Sequence, residues 1–243
     1  MSESNDGKIL SEFFKMIGFC EADAGYNPTN PLLLIAAMTA QHTAGVAAVN
    51  DIPVKIVPYK VAVNERQQAF EGIAAYAVGI RNIAKASGAS KEMLADMLTY
   101  TRKLRGSRAG EGIVDDPNTP ENEALNSHSV SQRSYEAQES HFRNLVELAK
   151  VEPTYGPNEN EMKISTLDAY IANLAAKNAA VASMFIPLSN ARALRDGLLY
   201  TNEDSIVAVA LLCKAYVRGA LGADSTLYQQ IKDLEFERPY GKR

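Results

Sequence analysis

The stretch that decides the fold is Ala191–Gly222, ARALRDGLLYTNEDSIVAVALLCKAYVRGALG. Its apolar residues Leu199, Ile206, Val209, Cys213, Tyr216 and Ala220 recur largely three and four positions apart, the spacing that lines up side chains on one stripe of a helix. The pattern breaks at Gly222. Ser225 restarts it, and Leu227, Tyr228, Ile231, Leu234 and Phe236 carry it to Arg238. The same plan occurs once before, in Asn64–Gly88 and then Ser90–Arg102, and the rest of the chain fits around these two copies.

Each copy is preceded by similar material. In the first half, Leu10, Phe13, Ile17 and Cys20 predict a lead helix that Gly25 and Pro28 end. Asn30 and Pro31 then start a helix striped by Leu32, Ile35, Thr39, His42, Val46 and Val49, with alanines in the neighbouring positions. In the second half, Tyr135, Phe142, Leu145 and Ala149 align over Ser134–Val151, and Pro153, Gly156 and Pro157 break the run. Ile164, Leu167, Ile171, Leu174, Asn178, Val181 and Phe185 follow as a heptad stripe; Ile186–Ser189 is expected to turn, with Asn190 capping the next helix.

Asp51–Val63 reads differently. Pro53 and Pro58 oppose a continuous helix, and Val54/Ile56 and then Val57/Tyr59/Val61/Val63 alternate as an extended segment does. Such a segment in a helical protein either lies over the bundle as a lid or pairs with another chain. The glycine, proline, asparagine and serine of 106–130 separate a first helical repeat, 1–105, from a second, 131–243. The expected fold is all-α: tandem-duplicated helical hairpins that cover one another as a four-helix-bundle-like core with short flanking helices, the halves packing as one domain.

Composition fits that reading. Of the residues 46% are hydrophobic, alanine contributes heavily, and tryptophan is absent, which suits closely packed helices. A net charge of −4 argues against nucleic-acid binding by bulk electrostatics. Cys20 and Cys213 lie far apart without CxxC spacing and read as buried thiols, with a single disulfide left open. The opening MSESNDGK lacks the apolar run of a signal peptide. Pro31–Val49 nears membrane-spanning length but carries Thr39, Gln41, His42 and Thr43 at its centre. The expectation is a cytoplasmic protein without a membrane span, with non-classical export leaving no mark of this kind.

No catalytic, cofactor or metal set emerges. A di-iron bundle needs Glu-x-x-His on two helices, whereas here Gln138 stands three residues before His141, and Glu136 and Glu139 are at other offsets. His42 and Asn178 sit on otherwise apolar stripes, as polar groups that set helix register, as a buried pair between the halves, or as contacts to a ligand. Nucleophile motifs and glycine-rich phosphate loops are absent. Basic clusters close both halves, at Arg102, Lys103, Arg105 and Arg108 and again at Arg238–Arg243. Part of each offsets a helix dipole, and the acids Glu111, Asp115 and Asp116 of the linker offer a complementary partner on another copy. The candidate interaction residues are therefore Val54, Ile56, Val57, Tyr59 and Val61 together with these basic and acidic groups.

The ending Arg192-x-x-Arg195-x-x-Leu198-Leu199-Tyr200 … Lys214-Ala-Tyr216-Val217 … Gly222-Ala-Asp224-Ser225-x-x-Tyr228 … Phe236 resembles the C-terminal signature of a family of uncharacterised bacterial helical proteins. The resemblance covers about the last fifty residues. It implies helical hairpins and a bacterial source, and carries no activity or catalytic residue. The expected function is a non-enzymatic, self-assembling structural protein that partners itself as oligomer or filament. The alternatives are a binding module for a protein or anionic ligand, and a carboxylate-bundle enzyme.

Overall fold

A computed structural model describes residues 3–106 and 134–237, and among these the protein is all-α, with no strand. The first repeat comprises α1 (Glu3–Ala22), a 3-10 turn at Pro31–Leu33, α2 (Ile35–Phe70), α3 (Ile73–Ala86) and α4 (Lys91–Arg105). The second comprises α5 (Tyr135–Val151), a 3-10 turn at Asn160–Met162, α6 (Ile164–Asp196), a π turn at Gly197–Thr201, α7 (Ile206–Ala220) and α8 (Thr226–Ile231). Start signals are local. Asn30, Ser90, Ser134 and Ser225 each accept a hydrogen bond from a backbone N–H of the turn they open. Gly88 and Gly222, at φ 90° and 92°, end the matched helices α3 and α7 in the left-handed region that glycine enters without penalty.

Three expectations are corrected. Asp51–Val63 is not extended: α2 runs unbroken through Pro53 and Pro58. Likewise α6 passes through Pro187, so Ile186–Ser189 is not a turn and Asn190 is not a cap. All three prolines lie on the solvent side. The carbonyls that Pro58 and Pro187 deprive of a donor belong to Val54 and Ser183, both exposed, where water can serve them. The inward positions of this part of α2 are Ala48, Ile52 and Ala62, with Lys55 and Tyr59 half-buried between them. That is a heptad spacing, and the alternation in sequence is a by-product of it. Ala191–Gly222 is in turn divided: the break falls at 202–205, after the π turn.

The chain forms two compact units, residues 3–59 with 184–237 and residues 60–183. Unit one holds α1, the first part of α2, the end of α6, α7 and α8. Its core joins Phe13, Met16, Ile17, Cys20 and Met38 to Leu199, Val209, Cys213, Val217, Leu227 and Ile231. Gly45 lets α2 pass close by, since a Cβ there would stand 2.8 Å from Ile206 Cδ1 and 2.9 Å from Leu10 Cδ2. Unit two holds the end of α2, α3, α4, α5 and the first part of α6. There Phe142, Leu145, Val146, Ala149 and Leu167 meet Ile73, Ala77, Ile80, Ala84, Met97 and Leu104.

The repeats match residue for residue where they lead in. Phe13 and Phe142, Met16 and Leu145, Ile17 and Val146, Cys20 and Ala149, and Met38 and Leu167 occur at one constant offset, and all are buried. At the same offset the Tyr26 hydroxyl donates to the Leu33 carbonyl (2.7 Å) and the Tyr155 hydroxyl to that of Met162 (3.0 Å). The compact units do not follow the repeat boundary. The lead helix α1 packs on α7 and α8 of the other repeat, and α5 packs on α3 and α4.

Candidate functional site

Each long helix buries one heptad stripe and turns the opposite one to solvent. On α2 the outward stripe is Ala40, Thr43, Ala47, Asn50, Val54, Val57, Val61 and Asn64, all exposed. On α6 it is Ala169, Ala172, Ala176, Ala179, Ser183, Ile186, Asn190 and Ala193, also all exposed and at the same offset along the chain. Neither stripe holds a charged residue. A solvated helix face ordinarily carries charge; these carry small and apolar side chains in the spacing of a coiled-coil seam. The bulkiest part lies in unit one, where Val54, Val57 and Ile186 are 62%, 58% and 60% exposed and Phe185 is 48% exposed.

Of the five residues read as an extended edge, Val54, Val57 and Val61 lie on this face. Ile56 and Tyr59 are half-buried, and the Tyr59 ring stands 5.9 Å from that of Phe185. Arg102, Lys103 and Arg105 form the last turn of α4, where they offset the carbonyl end of the helix before Gly106 (φ 71°) closes it. The Lys103 ammonium lies 5.7 Å from the centre of the Tyr100 ring. Arg105 borders an open depression of about 530 Å³ with Ala74, Ala75, Val78, Gly79 and Asn82. Arg108, Glu111, Asp115, Asp116 and Arg238–Arg243 lie outside the described residues.

His42 and Asn178 fall in different compact units, each with partners of its own. His42 stacks against Phe14 in unit one, with ring centres 5.3 Å apart. The Asn178 amide donates to Glu139 (3.1 Å) in unit two, and Glu139 also pairs with Arg143 (2.8 Å). Glu136 faces Arg66 at 3.8 Å. Among the described residues no three His, Cys, Asp or Glu side chains gather as metal ligands would. Within Ile164–Ala220 one window is long and apolar enough to cross a membrane by length and composition.

Several residues near the end of the chain dock on α1 and the loop after it. Arg195 donates to Asp6 (3.1 Å), whose other oxygen accepts from the Tyr200 hydroxyl (2.5 Å). Burial first, and then that carboxylate, push the Tyr200 phenol up from its ordinary value. The Tyr216 hydroxyl accepts from the Asn27 N–H, Lys214 donates to the carbonyls of Lys232 and Leu234, and Phe236 meets Phe13 edge-on at 6.5 Å. The π turn sets Leu199 and Tyr200 side by side toward this contact, both buried. Asp6 escaped the reading of the sequence because a lone acid on a helix has no periodic signal. No family model, curated protein or solved structure matches the chain.

Proposed function

We propose that the protein is a structural, self-associating helical protein whose copies pack through the uncharged outward stripes of α2 and α6. The observation that carries this reading is the occurrence of matching charge-free heptad faces on both long helices. From Ala40 to Asn64 a helix extends about 36 Å and presents a strip about 10 Å wide. Alanine, serine and threonine allow a second helix to come close, while Asn50, Asn64 and Asn190 on the stripes are costly in lipid, which favours a second copy over a bilayer.

Light scattering and sedimentation across a concentration series test the proposal. The wild type is expected to associate, and Val57→Glu with Ile186→Glu to weaken association at least about tenfold, a loss of about 1.4 kcal/mol. Both positions are exposed, so the helical circular dichroism should be unchanged. A wild type that stays monomeric at high concentration overturns the reading. So does flotation of the wild type with neutral lipid vesicles that the two charges abolish. A second reading, binding of a small anionic ligand, is favoured by the depression beside Arg105, the one charged side chain on its wall among the described residues. Its test is phosphate-dependent thermal stabilisation that Arg105→Gln removes.

A further inference from the structure

We infer that Cys20 and Cys213 form an intramolecular disulfide that ties α1 to α7. The two sulfurs lie 3.6 Å apart in the core of unit one, with the residues 1% and 0% exposed. That is van der Waals contact, and a bond at about 2.05 Å requires the sulfurs to close by about 1.5 Å, within reach of side-chain rotation and slight helix movement. Packing alone does not call for sulfur here. The position matching Cys20 in the other repeat is Ala149, also buried, so the lead helix of unit two packs into its core without a thiol there.

The chemistry is ordinary thiol–disulfide exchange with a low-molecular-weight disulfide such as glutathione disulfide as oxidant. Once α1 is undocked both thiols reach solvent, and either can ionise and begin the exchange, Cys213 for example. Its thiolate attacks one sulfur of the oxidant, whose S–S bond breaks and releases one glutathione thiolate. Cys20 then loses its proton and attacks the Cys213 sulfur of the mixed disulfide, expelling the second. The two electrons pass to the oxidant, and the two thiol hydrogens end on two glutathione molecules. Since both sulfurs are closed off from solvent, exchange takes place as the chain folds or while α1 is undocked.

Refolding the full chain in a glutathione redox buffer tests the inference, with peptide mapping under non-reducing conditions. The expected product has lost two hydrogens, contains a peptide linking Cys20 to Cys213, and resists alkylation in denaturant. The loop it closes takes in all of 60–183, so the oxidised protein should melt at least about 5 °C above the same sample with dithiothreitol. Cys20→Ala copies the residue of the other repeat; it should keep the helical spectrum and lose both the linked peptide and the shift. Alkylation of both cysteines in denaturant after oxidative refolding overturns the inference. A stable glutathione adduct on either cysteine overturns it equally, as does a cross-link that lowers the melting temperature.

Discussion

At the scale of single residues, His141 gives unit two a definable response to pH. Its ring is half-buried on α5, 6.2 Å from that of Tyr100. Burial first, and then the Lys103 charge, lower its pKa from the ordinary 6.5. The unfolded chain therefore binds a proton at a pH where the folded protein does not. Stability is full above 6.5 and is lost as pH falls from there toward the lowered folded value. Urea midpoints measured between about pH 5 and pH 8 should show this decline, and His141→Gln should flatten it. Residues whose role depends on a neighbour distant in sequence were illegible from the sequence, Asp6 among them. Others are plain in the sequence: Asp23-x-x-Tyr26-x-Pro28 and Glu152-x-x-Tyr155-x-Pro157 are the firmest mark of the duplication. In both, the tyrosine N–H bonds the carbonyl of the acid three residues before it, at 3.1 Å.

At the scale of elements, the prolines of α2 and α6 show where local rules were overridden. Pro58 and Pro187 occupy matching positions, so the feature belongs to the repeat and not to one accident of sequence. A proline inside a helix forgoes a hydrogen bond and strains the preceding turn at a cost of about 3 kcal/mol relative to alanine. The helix persists because it is anchored on both sides of the proline, by Ala48 and Ile52 before Pro58 and by Ala62 and Phe70 after it. Periodicity therefore located every helix core, while the prolines misplaced the boundaries inside both long helices. Pro58→Ala and Pro187→Ala should each restore a backbone hydrogen bond on an exposed turn. Each should raise stability by about 1–2 kcal/mol, after allowance for the proline's effect on the unfolded chain. Thermal unfolding followed by far-ultraviolet dichroism reads this directly, and a fall in stability would mean that the proline ring itself is needed for packing.

At the scale of the whole molecule, the stripe expected on α2 (Leu32, Ile35, Thr39, His42, Val46 and Val49) is not the buried one, which is Met38, Gly45, Ala48 and Ile52. On α1, α5 and α6 amphipathic periodicity told which stripe is buried but not which other stripe covers it. All-α architecture and duplication follow from the former. The exchange of partners, α1 with the closing helices of the second repeat and α5 with those of the first, depends on the latter. The result is two hydrophobic clusters that share no residue, one around Phe13 and one around Phe142. Those phenylalanines are equivalent in the repeat and equally buried, so truncating either should remove about 3–5 kcal/mol from its own cluster. Where the loss is felt separates the two. Phe13→Ala should speed amide exchange in α1, α7 and α8 while the protection of α3, α4 and α5 is retained; Phe142→Ala should do the reverse. Hydrogen exchange read by mass spectrometry resolves the helices individually. If Phe13→Ala instead loosened α3 and α4 as much as α7, the repeats would be unfolding as sequence neighbours, and partner exchange between them would be refuted.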